Sequence, residues 1–328
     1  MRLIQIEMTR LPIFQVLLDN WSDFDDEESS DEEQAVSDRS HLISYSDLSR
    51  AGVGGFLKHW NVLGSAERVD LVRSLLEYAE VSVDVDFRRV FRSVLSDDDS
   101  VVRELAIEGL WEDRAPDLAQ QFLTILVEDH SQDVRAQAAG ALLSFVVDFS
   151  DASDDDFAFR SQIVAQVSDF ATRPSEPPLV RRRCIEMLGP LASEPSVAQI
   201  IEEAFADDDQ TIAAGALRAM GHSGQSRWKP AIERSLQSDD AELRFEAAQA
   251  AGMLGESDLI EQLALLLDDE DAEVRFAAVG AIGRIGGAGA IRVLQRVREL
   301  GLVEGEAVEL IDDAIDEARL AVDPLASN

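Results

Sequence analysis

The chain has 328 residues, with 65 Asp plus Glu against 29 Lys plus Arg, giving a formal net charge of −36 and an isoelectric point near 4.2. Recognition of a phosphate backbone needs a basic footprint, so nucleic acid is excluded as a partner, and an anionic membrane surface with it. The single cysteine, Cys184, rules out an intramolecular disulfide, and no run approaches the roughly 18 apolar residues that a membrane-spanning helix requires.

In chain order, residues 1–21 form a short apolar N-terminal segment. It contains acid and lacks a clean apolar core with a small-residue cleavage site, so it does not read as a signal peptide and the expected location is cytoplasmic. Residues 22–46 are acidic and polar, with too little apolar surface to order themselves, and predict a flexible linker. Residues 47–83 hold two predicted helices, "SDLSRAGVGGFLKHW" and "SAERVDLVRSLLEYAE". A repeat stack needs a terminal unit with a polar outer face, and this pair is read as that N-terminal cap.

From residue 84 the sequence repeats itself. In "LDDEDAEVRFAAVGAIGRIG" (Leu267–Gly286), Arg275 stands in an apolar, Ala-rich helix pattern. The same frame recurs around Arg244, Ala213, Arg181, Arg135 and Arg103, at steps of 31, 31, 32, 46 and 32 residues. Three residues past each anchor stand Ala106, Ala138, Cys184, Ala216, Ala247 and Ala278. One residue before stand Val102, Val134, Val180, Ile212, Leu243 and Val274. Acids recur four and six residues before the anchor, as in Asp97 and Asp99, Asp207 and Asp209, Asp269 and Asp271. Between anchors run second apolar stretches such as "PSVAQIIEEAFA", "WKPAIERSLQ" and "DLIEQLALLLD", with three- and four-residue spacing that predicts helix. No segment alternates as a half-buried strand does. Each unit is therefore a first helix, an acidic turn, a second helix and a glycine exit, with Asp or Ser able to cap the second helix. Gly255 and Gly286 suit a left-handed C-terminal position. Self-similarity at this period marks a solenoid. Residues 84–300 are assigned to the repeats and 301–328 to a C-terminal cap. In the cap, Ala307, Leu310, Ile311, Ala314, Ile315 and Ala318 share one face.

The frame D-x-D-x-x-V-R-x-x-A-x-x-A-[LIM]-G, read at Asp269–Gly283 and less fully elsewhere, resembles the HEAT-repeat family in its short prokaryotic, phycobilin-lyase-like form. The resemblance implies an all-α, right-handed α-α superhelix over 47–328. It implies that the second helices line the concave face. It also implies that the anchor arginines pair with turn acids of a neighbouring repeat. The expected structural ladder is Arg103, Arg135, Arg181, Arg244 and Arg275 with Asp99, Asp209, Asp240 and Asp271. A charge inside a packed helix layer needs such a partner, and the repeat around Ala213, which lacks the arginine, is expected to be a weak link.

The 46-residue step carries "DFSDASDDDFAFRS" (Asp148–Ser161), about half a repeat extra, followed by a turn, "TRPSEPPLV", with prolines in place of acids. Next come Arg182 and Arg183, placed either to pair with nearby acids such as Asp154–Asp156 or to recognise a carboxylate or phosphate.

The chain lacks an enzyme's equipment. His41, His59, His130 and His222 are scattered, and none is followed by Glu, so the His-Glu ligand pairs of HEAT-type di-iron hydroxylases are missing. There is no C-x-x-C, phosphate-binding loop or nucleophile elbow. No catalytic, cofactor or metal residue is assigned. The expected function is a monomeric, non-catalytic scaffold holding a protein or peptide partner of unknown identity along the concave face. The partner-binding residues are Arg182, Arg183, Glu186, Arg218, Phe245, Glu246, Gln249 and Phe276. The alternative is a lyase-like protein that holds a bilin chromophore and a phycobiliprotein.

Overall fold

Six small side chains set the spacing of the molecule: Ala106, Ala138, Cys184, Ala216, Ala247 and Ala278 are each 0% exposed. The computed structural model describes residues 42–147, 154–299 and 306–320, and every regular element among them is helical. The expected N-terminal segment, most of the acidic linker, residues 148–153 of the insertion and the last eight residues lie outside the described residues.

The chain divides into two compact units, Met1–Val90 and Phe91–Asn328. In the first, α1 (Arg50–Trp60) is capped by the Ser49 hydroxyl, which accepts from the Gly52 N–H, and α2 (Ser65–Val81) follows. The described part of the predicted linker, 42–46, is built into this unit. Tyr45 is buried with its ring edge-on to Phe56 at 5.3 Å, and the Ser46 hydroxyl accepts from the Asp86 N–H. Apolar Leu42, Ile43 and Tyr45 interrupt the acidic composition there, so the polar run ends before residue 46.

The division falls inside α3 (Arg88–Val94). The second unit continues with α4 (Ser100–Glu108), α5 (Pro116–Glu128), α6 (Gln132–Ala141), α7 (Ser144–Val147), α8 (Asp154–Thr172), α9 (Pro178–Leu188), α10 (Pro195–Phe205), α11 (Gln210–Ser223), α12 (Lys229–Ser235), α13 (Ala241–Leu254), α14 (Ile260–Leu265), α15 (Ala272–Ile285), α16 (Gly287–Glu299) and α17 (Glu306–Leu320). The extra residues of the long step lengthen a first helix: α8 has 19 residues.

The second helices of the repeats, α4, α6, α9, α11, α13, α15 and α17, pack in succession against one another. They do so almost backbone to backbone. A Cβ added to Gly221 would lie 2.7 Å from the Ala250 Cα, and one on Gly252 would lie 2.8 Å from the Ala281 Cα. Gly189 meets Ala219, and Gly283 meets Ala314, in the same way. Each glycine stands eight residues past its anchor, and Ala219, Ala250 and Ala281 stand six past the next, so the small residues of the frame are set by this close approach. In the last helix, Ile311, Ala314, Ile315 and Ala318 are buried. Gly255 ends α13 in the left-handed conformation, φ 72° and ψ 15°. Gly286 has positive φ but an extended ψ of −168°, because α16 starts at the next residue.

Candidate functional site

The charges of the second-helix layer form two systems. The first begins at the turns. Residues four before the anchor cap their own helices: Asp99 accepts from the Val101 N–H at 2.9 Å, Asp209 from Thr211 at 2.9 Å, Asp240 from Leu243 at 3.0 Å and Asp271 from Glu273 at 2.8 Å. Such caps contribute about 1 kcal/mol each.

The carboxylates that pair with the arginines stand elsewhere. Arg103 donates through Nε and Nη2 to both oxygens of Asp129, at 2.8 and 2.7 Å. Arg244 grips Asp269 in the same way, at 2.7 Å twice. Arg181 donates to Asp207 at 3.1 Å, and Arg135 pairs with Glu176. Asp129, Asp207 and Asp269 stand six residues before the following anchor, and Glu176 five before it. The expected pairing with Asp99, Asp209, Asp240 and Asp271 is therefore corrected, since their side chains are engaged by their own helix starts. The proline-rich turn is not without an acid either, because Glu176 supplies it. Two of them also brace their own turns: Arg103 Nη1 donates to the Asp97 and Asp98 carbonyls, and Arg244 Nη1 to those of Ser238 and Asp239. Arg135 and Arg181 donate through Nε to the Leu126 and Ala171 carbonyls of the preceding helix. Burial pushes the Asp129 carboxyl up, but hydrogen bonds from Arg103 and the Ser131 N–H, with the charge of Arg103, together outweigh it and leave it below the ordinary value; hydrogen bonding from Arg244 lowers Asp269.

At Ala213 both halves of the pair are missing. The residue six before the next anchor is Ser238, whose hydroxyl accepts from the Asp240 N–H.

The second system crosses that place. Arg182 on α9 donates through Nε to Glu186 at 2.8 Å, through Nη2 to Glu246 at 2.7 Å, and through Nη1 to Glu242. Arg218 on α11 donates through Nε and Nη2 to Glu246 on α13, at 3.0 and 2.8 Å. Arg183 donates to Glu186 at 2.8 Å. The stem of Arg182 runs over Gly215, where a Cβ would meet its Cγ at 2.8 Å. Glu246 is 1% exposed, Glu186 6% and Arg218 9%. Burial pushes the Glu186 carboxyl up, but Arg183, Arg218 and Arg182 together outweigh it and leave it below the ordinary value. Three guanidiniums and three carboxylates form a balanced net that ties α9, α11 and α13 together where the first ladder lapses.

Five of the eight predicted partner-binding residues, Arg182, Arg183, Glu186, Arg218 and Glu246, are thus brought together and bonded to each other. The carboxylates of this net are Glu186, Glu242 and Glu246; the side chains of Asp154–Asp156 lie outside the described residues. Gln249 accepts from Arg284. Phe245 and Phe276 are half-buried at equivalent positions of neighbouring helices α13 and α15, and above Gly280 a Cβ would meet nothing within 4 Å. Farther toward the N-terminus, Glu104 occupies the same position of α4. Its carboxyl is raised by burial first, then by Asp133 and Glu108, with Arg183 acting against them. Glu242 and Arg284 were missed in sequence, since their partners lie 60 and 35 residues away. Burial raises the Cys184 thiol pKa, as befits a packing residue. Among the described residues, no three His, Cys, Asp or Glu side chains are grouped to hold a metal ion, and no helix is long and apolar enough to cross a membrane.

The HEAT-repeat family matches residues 164–250 and 229–309, and these residues are HEAT repeats. No curated protein sequence matches the chain. Among solved structures, the E. coli protein YibA is 17% identical over 90% of this chain and 99% of its own, with a TM-score of 0.45. The complex of CpcE and CpcF of phycocyanin lyase from Nostoc sp. is 17% identical over 70% of this chain and 94% of that one, with a TM-score of 0.46. Human deoxyhypusine hydroxylase in complex with glycerol is 18% identical over 78% and 99%, with a TM-score of 0.34.

Proposed function

We propose that the chain is a non-catalytic scaffold that holds a protein or peptide partner along the face of its second helices between about residues 182 and 280. The observation that carries this reading is the pair of half-buried rings, Phe245 and Phe276, in equivalent positions beside the open space over Gly280. Aromatic side chains are common anchors of protein interfaces. Arg182 and Arg218 do not serve as anchors for an anionic partner, because their donors are taken by Glu186, Glu242 and Glu246. The partner that fits presents apolar side chains to the rings. A basic group would also relieve Glu104, whose raised carboxyl reflects burial and two acidic neighbours.

The test spares the ion net. Phe245→Ala, Phe276→Ala and Gly280→Gln together remove the rings and fill the open space without meeting other atoms at Cβ. A partner captured and identified with the wild-type chain should be lost by this variant and kept by Val127→Ser, which alters an exposed residue of a first helix. Retention by the folded triple variant would overturn the reading.

A further inference from the structure

The arginine ladder ends with a donor that meets no carboxylate among the described residues. In the preceding repeats the partner carboxylate follows its arginine by 26 residues (Arg103 to Asp129, Arg181 to Asp207), by 25 (Arg244 to Asp269), or by 41 across the long step (Arg135 to Glu176). Counting 25 and 26 residues on from Arg275 gives Leu300 and Gly301, which carry no acid. Where the chain drops the arginine, at Ala213, it also drops the acid, at Ser238. At Arg275 it keeps the arginine without an acid in that position.

In its turn Arg275 is held as Arg103 and Arg244 are. Its Nη1 donates to the Asp269 and Glu270 carbonyls at 2.7 and 3.2 Å, just as Arg244 and Arg103 brace their turns. The Nε and Nη2 edge, which grips a carboxylate in Arg103 and Arg244, meets no carboxylate of the described residues within ion-pair distance. Asp269 feels the charge of Arg275, but both its oxygens are held by Arg244. Arg275 lies on a cleft of about 1110 Å³ between α14 and α16. Arg292 and Arg296 also line it, with the run Gly286–Gly289, Glu261 and Asp268. Arg292 and Arg296 are exposed, and Arg296 has only a 3.8 Å contact with Glu299.

We propose that this cleft is a carboxylate receptor in which the free edge of Arg275 takes an Asp or Glu side chain of an acidic peptide segment in another protein, with Arg292 and Arg296 at the entrance. A planar guanidinium edge binds a carboxylate through two parallel hydrogen bonds, which an ammonium does not reproduce. The occupant is the chemical group that fills the equivalent position in four preceding repeats. Phe245, Phe276 and Gly280 do not line this cleft, so either reading fails independently of the other.

The probe is a fluorescein-labelled hexaglutamate peptide titrated into the full chain, with the Arg275 Nε–Hε resonance followed by NMR and assigned through Arg275→Lys. The resonance should move saturably. Affinity should fall roughly tenfold in Arg275→Lys and measurably in Arg292→Gln/Arg296→Gln, whose exposed positions leave the fold intact. Three results would overturn the proposal: an Arg275 resonance that stays still, an affinity unchanged in both variants, or a resonance that already shifts without peptide in Glu304→Gln/Glu306→Gln. The last would show the edge filled by this chain's own acids.

Discussion

Glu246→Ala is the sharpest probe of the ion net. The carboxylate is 1% exposed and accepts three charged hydrogen bonds, two from Arg218 and one from Arg182. After truncation Arg182 keeps Glu186 and Glu242, but Arg218 keeps only a 3.8 Å contact with Glu186 and remains buried. Breaking a buried pair in this way costs about 3–5 kcal/mol, and the contacts left to Arg182 place the expected loss near the lower end, about 3 kcal/mol. For a unit of this size that corresponds to a fall in melting temperature of about 6–12 °C. Glu242→Ala is the matched control. It removes a carboxylate from the same Arg182, but one that is 47% exposed, so about 1 kcal/mol or less is expected. Urea unfolding followed by circular dichroism gives both values. Hydrogen exchange in α11 and α13 shows whether the loss is local, since a repeat stack need not unfold as one unit. Replacing Arg218 and Glu246 together by leucine should recover much of the loss, because a buried pair is often no better than apolar packing. If Glu246→Ala cost no more than Glu242→Ala, the net would contribute nothing beyond a surface pair and the reasoning would fail.

Amides of α11 around Ala213 should be among the well-protected ones in hydrogen exchange, because Arg218 and Glu246 replace the missing ladder pair; rapid exchange there would restore the weak-link expectation. In a double-mutant cycle, Arg244→Ala and Asp269→Ala should each cost a few kcal/mol and couple strongly, since both side chains are below a tenth exposed and doubly bonded. The folded-state pKa values of Glu186, Asp129 and Asp269 are depressed, so their contribution is present above the unfolded carboxylate range near 4 and is lost as pH falls through the folded values. Acid titration of stability should show that loss and Arg244→Ala should shrink it. Glu104 has the opposite sign: its raised carboxyl favours the fold at low pH and opposes it as pH rises, so Glu104→Gln should stabilise at pH 7 and lose its effect below about pH 4. Cys184 should resist thiol reagents until the chain unfolds, and rapid native labelling would contradict its burial.

The fold was legible because its constraints are local and repeated. The residue three past each anchor must be small for helices to touch, and that requirement is written six times in phase. The cap residues were legible for the same reason, since an Asp two or three residues before its N–H partners is a short-range signal. The choice between the two turn acids was not. Both recur at a fixed distance from the anchor, and only geometry shows that the nearer one is spent on its own helix while the farther one faces the preceding repeat. The net of Arg182, Arg218 and Glu246 was less accessible still: its members lie 28 and 64 residues apart, appear once, and belong to no periodic frame. In sequence they read as exposed charges of a binding face. Glu176 was hidden because prolines broke the pattern of its turn.

The near-contact of Gly221 with Ala250 and of Gly252 with Ala281 makes neighbouring repeats geometrically interchangeable, but the charges above those contacts do not. From Arg103 to Arg244 a junction is either ionic, as between Arg244 and Asp269, or uncharged, as between Ala213 and Ser238. Excising two successive repeats so that Arg181 met Asp269 would rejoin a matched junction. Excising one would set Arg181 against Ser238, or Ala213 against Asp269, and strand a charge in the helix layer. Duplication and loss of repeats in such a chain are therefore constrained by the charge match at each new junction, and shuffled variants with matched junctions should fold where mismatched ones of the same length do not.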